Sequence, residues 1–301
     1  MKYYPLILIF LLTKSIMAED INPTWIKVAA KQIDDKINAK FLIYNEMIGE
    51  VEGKRKKKKI DFITNIIARS NHKIIFDLTT SPYIAKNSLV KFSVKKDFIE
   101  KDIEYIVTDN KGIKRKKHIV IKNSTQSKNT IQTNNNKKSI NFRKDYKIIW
   151  NMTTPKEVIR ELYGLKKMIS GTIQVKTPKY SESSNSIPID IKTNVDLESI
   201  VILIDNNPHS VLATLFIPVN KLIKFHIRFK AIDALRIYKD IPDNYQYIKG
   251  NNIIVIGKGR DGKIYKTTSY VGYGFPPSTC GGGIDNMQDY LRDKYNQQNA
   301  Q

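Results

Sequence analysis

The chain has 301 residues, of which 41% are hydrophobic and 10% aromatic, so it can form packed cores and is not a disordered polymer. Its formal net charge of +22 would suggest nucleic acid in an intracellular protein, and anionic small molecules, acidic proteins or lipid headgroups in an exported one. A single cysteine excludes an internal disulfide and, in an exported protein, implies a reactive thiol or an intermolecular link.

Residues 1–18 have the pattern of a cleaved signal peptide. Lys2 supplies the positive start, residues 3–12 are apolar, and the segment ends in small residues at Ala18, as signal peptidases require. Lys14 comes late in this pattern, which leaves an uncleaved anchor as the alternative. No other segment is long and apolar enough to cross a bilayer. We therefore expect a periplasmic protein with no stable membrane insertion and no nucleic-acid partner.

Residues 22–123 predict a β-sandwich domain. Short runs rich in β-branched and aromatic residues alternate with polar punctuation, as in residues 70–71 and the hairpin turn of residues 109–112. Six strands in about a hundred residues are typical of this architecture. The predicted strands cover residues 41–44, 62–67, 73–76, 90–94, 103–107 and 118–121.

Residues 124–147 predict a linker. Its first eighteen residues are Ser, Thr, Asn, Gln and Lys with almost nothing to bury, and such segments remain solvated.

Residues 148–275 predict a second β-sandwich that begins with a short helix. Thr154, Pro155 and Glu157 have the chemistry of a helix start, and Gly164 lies near the expected end. Residues 199–204 are almost all apolar, as in a central strand. Further strands are predicted over residues 171–175, 187–191, 211–219, 224–229, 252–256 and 263–267. The fold class is therefore all-β, with two immunoglobulin-like sandwiches, a polar linker and a C-terminal arm.

Residues 276–301 form the predicted arm and tail, and they carry Cys280. Two prolines precede the cysteine and Gly281, Gly282 and Gly283 follow it, which indicates a flexible segment with an open, exposed thiol. A thiolate is the nucleophile in sulfur chemistry. The alternative is a buried structural cysteine, which the flanking prolines and glycines disfavour.

Two basic clusters lie at residues 54–59 (KRKKKK) and 114–117 (KRKK). They fit either solvated charge at strand edges or a surface that attracts anions or acidic partners. The four histidines have no metal-ligand spacing, and we expect His118 and His226 to lie on the surface. No phosphate loop, nucleophile elbow or triad is present. We therefore predict no cofactor, no metal and no catalytic residue.

Two stretches of the chain resemble proteins of the thiosulfate-oxidation (Sox) system. Residues from about 25 to 121 resemble SoxZ in residues 61–64 (DFIT), 81–92 (SPYIAKNSLVKF) and 108–112 (TDNKG). Residues from about 154 to 283 resemble SoxY in residues 187–189 (IPI), 204–208 (IDNNP), 213–216 (ATLF), 261–262 (DG) and 280–283 (CGGG). The chain is thus identified as a fusion of the two families, with the SoxZ-like half first.

The resemblance implies that Cys280 is the covalent attachment point for a sulfur substrate. It also implies three partners: a c-type cytochrome that couples thiosulfate to the thiol, a hydrolase that releases sulfate and, in some organisms, a sulfane dehydrogenase. The carrier itself catalyses nothing. Two departures bear on this mechanism: Ser278 and Thr279 stand where the family usually has glycines, and residues 284–301 extend beyond the arm.

Two other functions compete with a carrier. A thiol-dependent sulfurtransferase or reductant would use Cys280 as its nucleophile, but the chain has no second cysteine to resolve a disulfide. A basic surface-binding module would leave Cys280 without a role. For the architecture, we expect the two domains to pack face to face as separate sandwiches rather than to share a continuous sheet.

Overall fold

A computed structural model describes residues 26–99, 102–121, 140–181, 184–217, 224–231 and 250–273. The predicted signal peptide, most of the predicted linker, and Cys280 with its arm lie outside these residues.

Strands dominate the described part of the chain. In chain order they are β1 (Ile26–Ile33), β2 (Lys36–Ile43), β3 (Ile63–Ser70), β4 (Lys73–Thr80), β5 (Leu89–Lys95), β6 (Asp102–Asp109), β7 (Lys114–Val120), β8 (Met168–Ser170), β9 (Ile173–Lys176), β10 (Tyr180–Ser181), β11 (Ile187–Thr193), β12 (Leu197–Ile204), β13 (Val211–Phe216), β14 (Lys224–Phe229), β15 (Gly250–Gly259) and β16 (Ile264–Tyr273). The helices are α1 (Glu50–Lys56), α2 (Phe142–Asp145) and α3 (Pro155–Tyr163), with 3-10 turns at Lys96–Phe98 and Lys147–Asn151.

The strands form two sheets. The small sheet has six strands in the order β1-β2-β5-β14-β11-β9. The large sheet has ten, in the order β10-β16-β15-β12-β13-β4-β3-β6-β7, with β8 paired to β16 beside this path. Each half of the chain contributes strands to both sheets, so each half is a two-layered, β-rich unit, and the all-β prediction is confirmed.

The two halves join edge to edge, and the prediction of two sandwiches without a shared sheet is wrong. In the small sheet β5 pairs with β14, with Phe92 opposite Phe225. In the large sheet β4 pairs with β13, with Leu78 opposite Leu215. A sandwich with open edges exposes rows of unpaired N–H and C=O groups. Pairing the edges of one half with those of the other satisfies these groups in both layers.

The main core lies between the two sheets and runs through both halves. Its centre is aromatic: Phe76 stacks on Phe92 with ring centroids 4.4 Å apart, and Phe41 packs against Tyr105 at 5.5 Å. Phe76 also contacts Phe225 of the second half at 5.9 Å. Offset and edge-to-face ring pairs add to the free energy gained by burial, so the aromatic cluster stabilises the joint as well as each half.

A second core covers the outer face of the large sheet in the second half. Phe142 and Trp150 belong to it, as does Val158 of α3, and they pack on outward side chains of β12 such as Leu203. Residues 140–147, which the sequence assigned to the linker, are therefore already part of the second half. Asn141 caps α2 by accepting from the Lys144 amide.

The local predictions for turns and the helix are confirmed. Gly112 and Gly262 both have φ of 81°, the conformation that favours glycine in a tight hairpin turn. Helix α3 begins with a full capping box between Thr154 and Glu157, has Pro155 in its first turn and ends at Gly164.

Candidate functional site

The structure places the root of the predicted arm in the large sheet. Strand β16 ends at Tyr273, seven residues before Cys280. The candidate attachment residue Cys280 and the neighbouring Gly281, Gly282 and Gly283 lie outside the described residues. What the structure defines is the strand that precedes them in the chain, β16.

The last residues of β16 are held tightly on both sides. Gly272 lies opposite Gly250 of β15 and opposite Tyr180 of β10, and its amide donates to the Lys179 carbonyl at 2.8 Å. A Cβ atom added to Gly272 would come within 2.8 Å of the Tyr180 ring, and one on Gly250 would overlap the carbonyl oxygen of Val271. At Gly250 only glycine permits such close approach of the neighbouring backbone, and its pairing with Gly272 holds the end of β16.

The SoxZ-like motif of residues 81–92 lies at the joint between the halves. Ser81 donates from its amide and its hydroxyl to the Leu212 carbonyl, at 3.0 and 2.9 Å. The Ala85 amide donates to the Arg228 carbonyl at 3.0 Å, and Ser88 Oγ donates to the same oxygen at 3.3 Å. The motif therefore supplies hydrogen bonds that bind the first half to the second.

The SoxY-like motif of residues 204–208 also has a structural role. Asp205 accepts from the backbone amide and the side-chain amide of Asn252, both at 2.7 Å. Asn207 is fully buried and donates to the Lys230 carbonyl at 3.3 Å. These bonds fix the β12–β13 loop against β15 and the end of β14, close to the joint.

A buried ion pair crosses the joint, and sequence reasoning missed it. Lys230, which follows β14, binds Glu52 of α1 and the Met47 carbonyl, and both charged side chains are buried. Lys56 also donates to Glu52, at 3.1 Å. Burial would raise the pKa of Glu52, but the two ammonium groups outweigh it and the pKa is lowered. The available signal was an acidic residue, Glu52, just before the basic run of residues 54–59.

The basic clusters and histidines lie partly as predicted. The described side chains of residues 54–59 are exposed, but Lys54 and Lys56 belong to α1 and not to a strand edge. His118 is exposed on β7 as expected. His226 is buried, contrary to the prediction: on the outer face of the small sheet its Nδ1 lies 3.0 Å from Asp190 Oδ1 of the neighbouring strand.

The described residues contain no cluster of three or more His, Cys, Asp or Glu side chains that could hold a metal ion. No helix within the same ranges is long and apolar enough to span a membrane.

These features define a class of protein. It is a double β-sandwich whose two halves share both sheets, and whose single cysteine follows the last described strand of the second half.

Comparison with known proteins assigns each half to a family. Residues 26–120 match the family model described as "Sulphur oxidation protein SoxZ", and residues 159–259 match "Sulfur oxidation protein SoxY". The chain therefore belongs to the SoxZ and SoxY families, as a fusion with the SoxZ region first. No curated protein sequence matches it.

Solved structures show weaker similarity. The sulfur carrier protein SoxY from Chlorobium limicola f thiosulfatophilum is 18% identical, with a TM-score of 0.31, covering 39% of this chain and 94% of its own. A superoxide reductase (neelaredoxin) from Ignicoccus hospitalis is 8% identical, with a TM-score of 0.24, covering 34% of this chain and 80% of its own.

Proposed function

We propose that the protein is a periplasmic carrier that holds thiosulfate-derived sulfur covalently on the Cys280 thiol and presents it to partner enzymes. The observation that carries the proposal is the position of the single cysteine. It lies seven residues beyond β16, the last described strand of the SoxY half. The proposed domains are a signal peptide (1–18), a SoxZ-like sandwich (22–123) and a SoxY-like sandwich ending near residue 275, before the arm.

The length of the segment after β16 suits presentation to another protein. An extended chain spans at most about 3.6 Å per residue, so seven residues can carry the thiol up to roughly 25 Å from Tyr273. The paired glycines Gly250 and Gly272 hold the strand end in place. When extended, seven residues are long enough for a partner to enclose the thiol without touching the sheets.

The chemistry requires partners. Joining the Cys280 sulfur to the outer sulfur of thiosulfate forms one S–S bond, releases the thiol proton and releases two electrons. We assign those electrons to a c-type cytochrome. Hydrolysis of the terminal sulfonate then takes up water, releases sulfate and two protons, and leaves a deprotonated persulfide on Cys280. A hydrolase performs that step, and a sulfane dehydrogenase oxidises the remaining sulfur where the organism has one.

The SoxZ half serves as the structural support of the carrier half in this proposal. It pairs with the SoxY half through β4 and β5, and it contributes the Ser81 and Glu52 contacts across the joint. A fused chain does not lose the translational and rotational freedom that two separate subunits lose on association.

Intact-mass spectrometry tests the carrier function. Full-length protein purified from the periplasm of cells grown on thiosulfate should carry sulfur-containing adducts on Cys280. The Cys280→Ser variant should carry none, and the neighbouring Ser278→Ala variant should be loaded like the wild type.

Two results would contradict the proposal. Catalytic turnover of thiosulfate by the isolated chain would indicate a thiol enzyme. An unmodified thiol in protein from cells that are oxidising thiosulfate would indicate a binding module in which Cys280 has no role.

A further inference from the structure

The outer face of the large sheet in the first half holds an open groove of about 600 Å³. Its walls are strongly cationic, and no carboxylate of the described residues lines it. The charged lining residues are Arg69 of β3, Lys114 and Lys116 of β7, Arg143 and Lys144 of α2, and Lys147 of the following 3-10 turn. Both halves of the chain thus contribute cations to one concave surface.

Arg143 is the most constrained of these cations. Its guanidinium lies 4.3 Å from the centre of the Trp150 ring and 5.8 Å from that of Phe62. Its Nη2 donates to the Thr80 carbonyl at 2.6 Å, while its Nε is buried without a hydrogen-bond partner. Burial lowers the pKa of Arg143 to about 10, because removing a charge from water disfavours the charged form.

Arg143 has no carboxylate partner within the described ranges of the chain. Three acids contact residues that line the groove, and none of these described acids pairs with Arg143: Glu104 lies 3.4 Å from Lys116, Asp145 accepts from the Asn141 amide, and Asp77 accepts from Asn65 at 2.8 Å. Buried charges in proteins are normally paired. The Arg143 guanidinium contacts two aromatic rings and has no carboxylate counter-ion among the described residues. A bound anion can supply that counter-ion.

Neutral hydroxyl groups complete the surface. Thr79 and Thr108 line the groove between the cations, whereas the hydroxyl of the third lining threonine, Thr64, donates to the Thr108 and Asp109 carbonyls. A guanidinium fork surrounded by lysines and hydroxyl groups matches the geometry of an oxyanion with several equivalent oxygens.

We propose that this groove is a non-covalent binding site for a sulfate-type dianion, with Arg143 as its anchor and Lys144, Lys147 and Lys114 as flanking charges. The site lies on the SoxZ half and its boundary with the SoxY half, and it does not depend on the thiol. It goes beyond the proposed carrier function, since it binds the free anion and forms no bond to it.

Trp150 provides a direct readout, because its ring contacts the anchoring guanidinium. The protein for the assay carries Trp25→Phe, which leaves Trp150 as the sole tryptophan, and Cys280→Ser, which prevents covalent loading. Titration with sodium sulfate, thiosulfate or phosphate, balanced with sodium chloride to constant ionic strength, should give a saturable change in emission. The ratio of the three affinities identifies which dianion the groove prefers.

Variants test the assignment to the groove. Lys144→Gln and Lys147→Gln change exposed side chains, so they should fold normally and weaken binding about tenfold each, as expected for loss of one charge-assisted contact. Arg143→Lys keeps the charge but loses the fork, and should weaken binding at least as much. Lys192→Gln is the matched control: it removes an equally exposed lysine from β11 of the small sheet and should bind like the parent.

Three outcomes would overturn the site. Chloride alone could produce the same emission change, which would show screening rather than binding. Lys192→Gln could weaken binding as much as Lys144→Gln, which would show a general effect of net charge. A glutamate-rich peptide could saturate the signal at far lower concentration than any dianion, which would make the groove a docking surface for acidic polypeptide.

Discussion

The large sheet has two differently used outer faces, one in each half of the chain. In the second half α3 and residues 140–152 cover the face and form a second core on it. In the first half the same side of the sheet stays open and forms the cationic groove. Every residue of β13 is buried, whereas β7 has no buried residue. The large sheet is therefore packed on both faces in the second half and on its inner face alone in the first half.

This difference explains how the two halves differ in sequence pattern. A strand covered on both faces is apolar throughout, as in residues 199–204 of β12, while a strand with one wet face alternates. In β3 the inward Ile66 and Ala68 alternate with the outward Ile67 and Arg69. Helix α3 in the SoxY half and the groove in the SoxZ half therefore occupy equivalent positions on the outer face of the large sheet.

The largest loss of stability should come from a change at the joint between the two halves. Lys230→Met leaves Glu52 buried with Lys56 as its remaining partner, and loss of one member of a buried pair costs about 3 kcal/mol or more. Urea unfolding should show this loss in one cooperative transition, because both sheets cross the joint. Two well-separated transitions would show that the halves unfold independently and would contradict a shared fold.

The stability that the Glu52–Lys230 ion pair contributes should depend on pH in a defined direction. The pKa of Glu52 is lowered from its ordinary value of 4.5, so the ion pair stabilises the protein above that pH and the contribution is lost as the pH falls through the folded-state pKa. The difference between wild type and Lys230→Met should therefore shrink in acid. The double variant Glu52→Leu/Lys230→Met is the control, since an apolar pair of similar volume should recover most of the stability at neutral pH.

A matched pair of truncations compares the two faces directly. Leu203 lies on the covered face of β12 and is fully buried, so Leu203→Ala should cost about 2–5 kcal/mol. Ile67 lies on the open face of β3 and lines the groove, so Ile67→Ala should cost no more than about 1 kcal/mol. Chemical denaturation of both variants measures the contrast. Equal losses would mean that the groove is closed in solution.

Much of the local structure could be predicted from the sequence. Alternating patterns and turn glycines located the strands of the sheet interior, and Thr154, Pro155 and Glu157 located α3. Strand β1 and helix α1 were missed. The first has a weak pattern with exposed lysines, and the second has its one buried acid, Glu52, just before a basic run. Such residues become interpretable only when their partner, here Lys230, is known.

The pairing of the halves could not be predicted for a related reason. An apolar strand such as β13 buries its side chains equally well beside a strand of its own sandwich or beside β4. The choice depends on which backbone edges are left open once each half has folded. Residues 81–92 were recognised as a family motif, but the motif alone does not state that Ser81 and Ser88 bind the other half. Arg143 was placed in the linker, which concealed its part in the groove.

The smallest effect concerns the N-terminal cap of α3, the helix that covers the outer face of the large sheet in the second half. Thr154 Oγ1 accepts from the Glu157 amide at 3.3 Å, and the Thr154 amide donates to Glu157 Oε2 at 3.1 Å. Thr154→Ala removes the side-chain cap and should cost about 1 kcal/mol, while the adjacent Thr153→Ala should be neutral. The hydrogen bonds from Thr154 lower the pKa of Glu157, so the reciprocal bond is lost as the pH falls below that pKa. Thermal unfolding at neutral pH should therefore give the two variants different melting temperatures, and acid should reduce that difference.

If Thr153→Ala destabilised the protein as much as Thr154→Ala, the helix would start elsewhere. Helix α3 would then be held over β12 and β13 by packing alone.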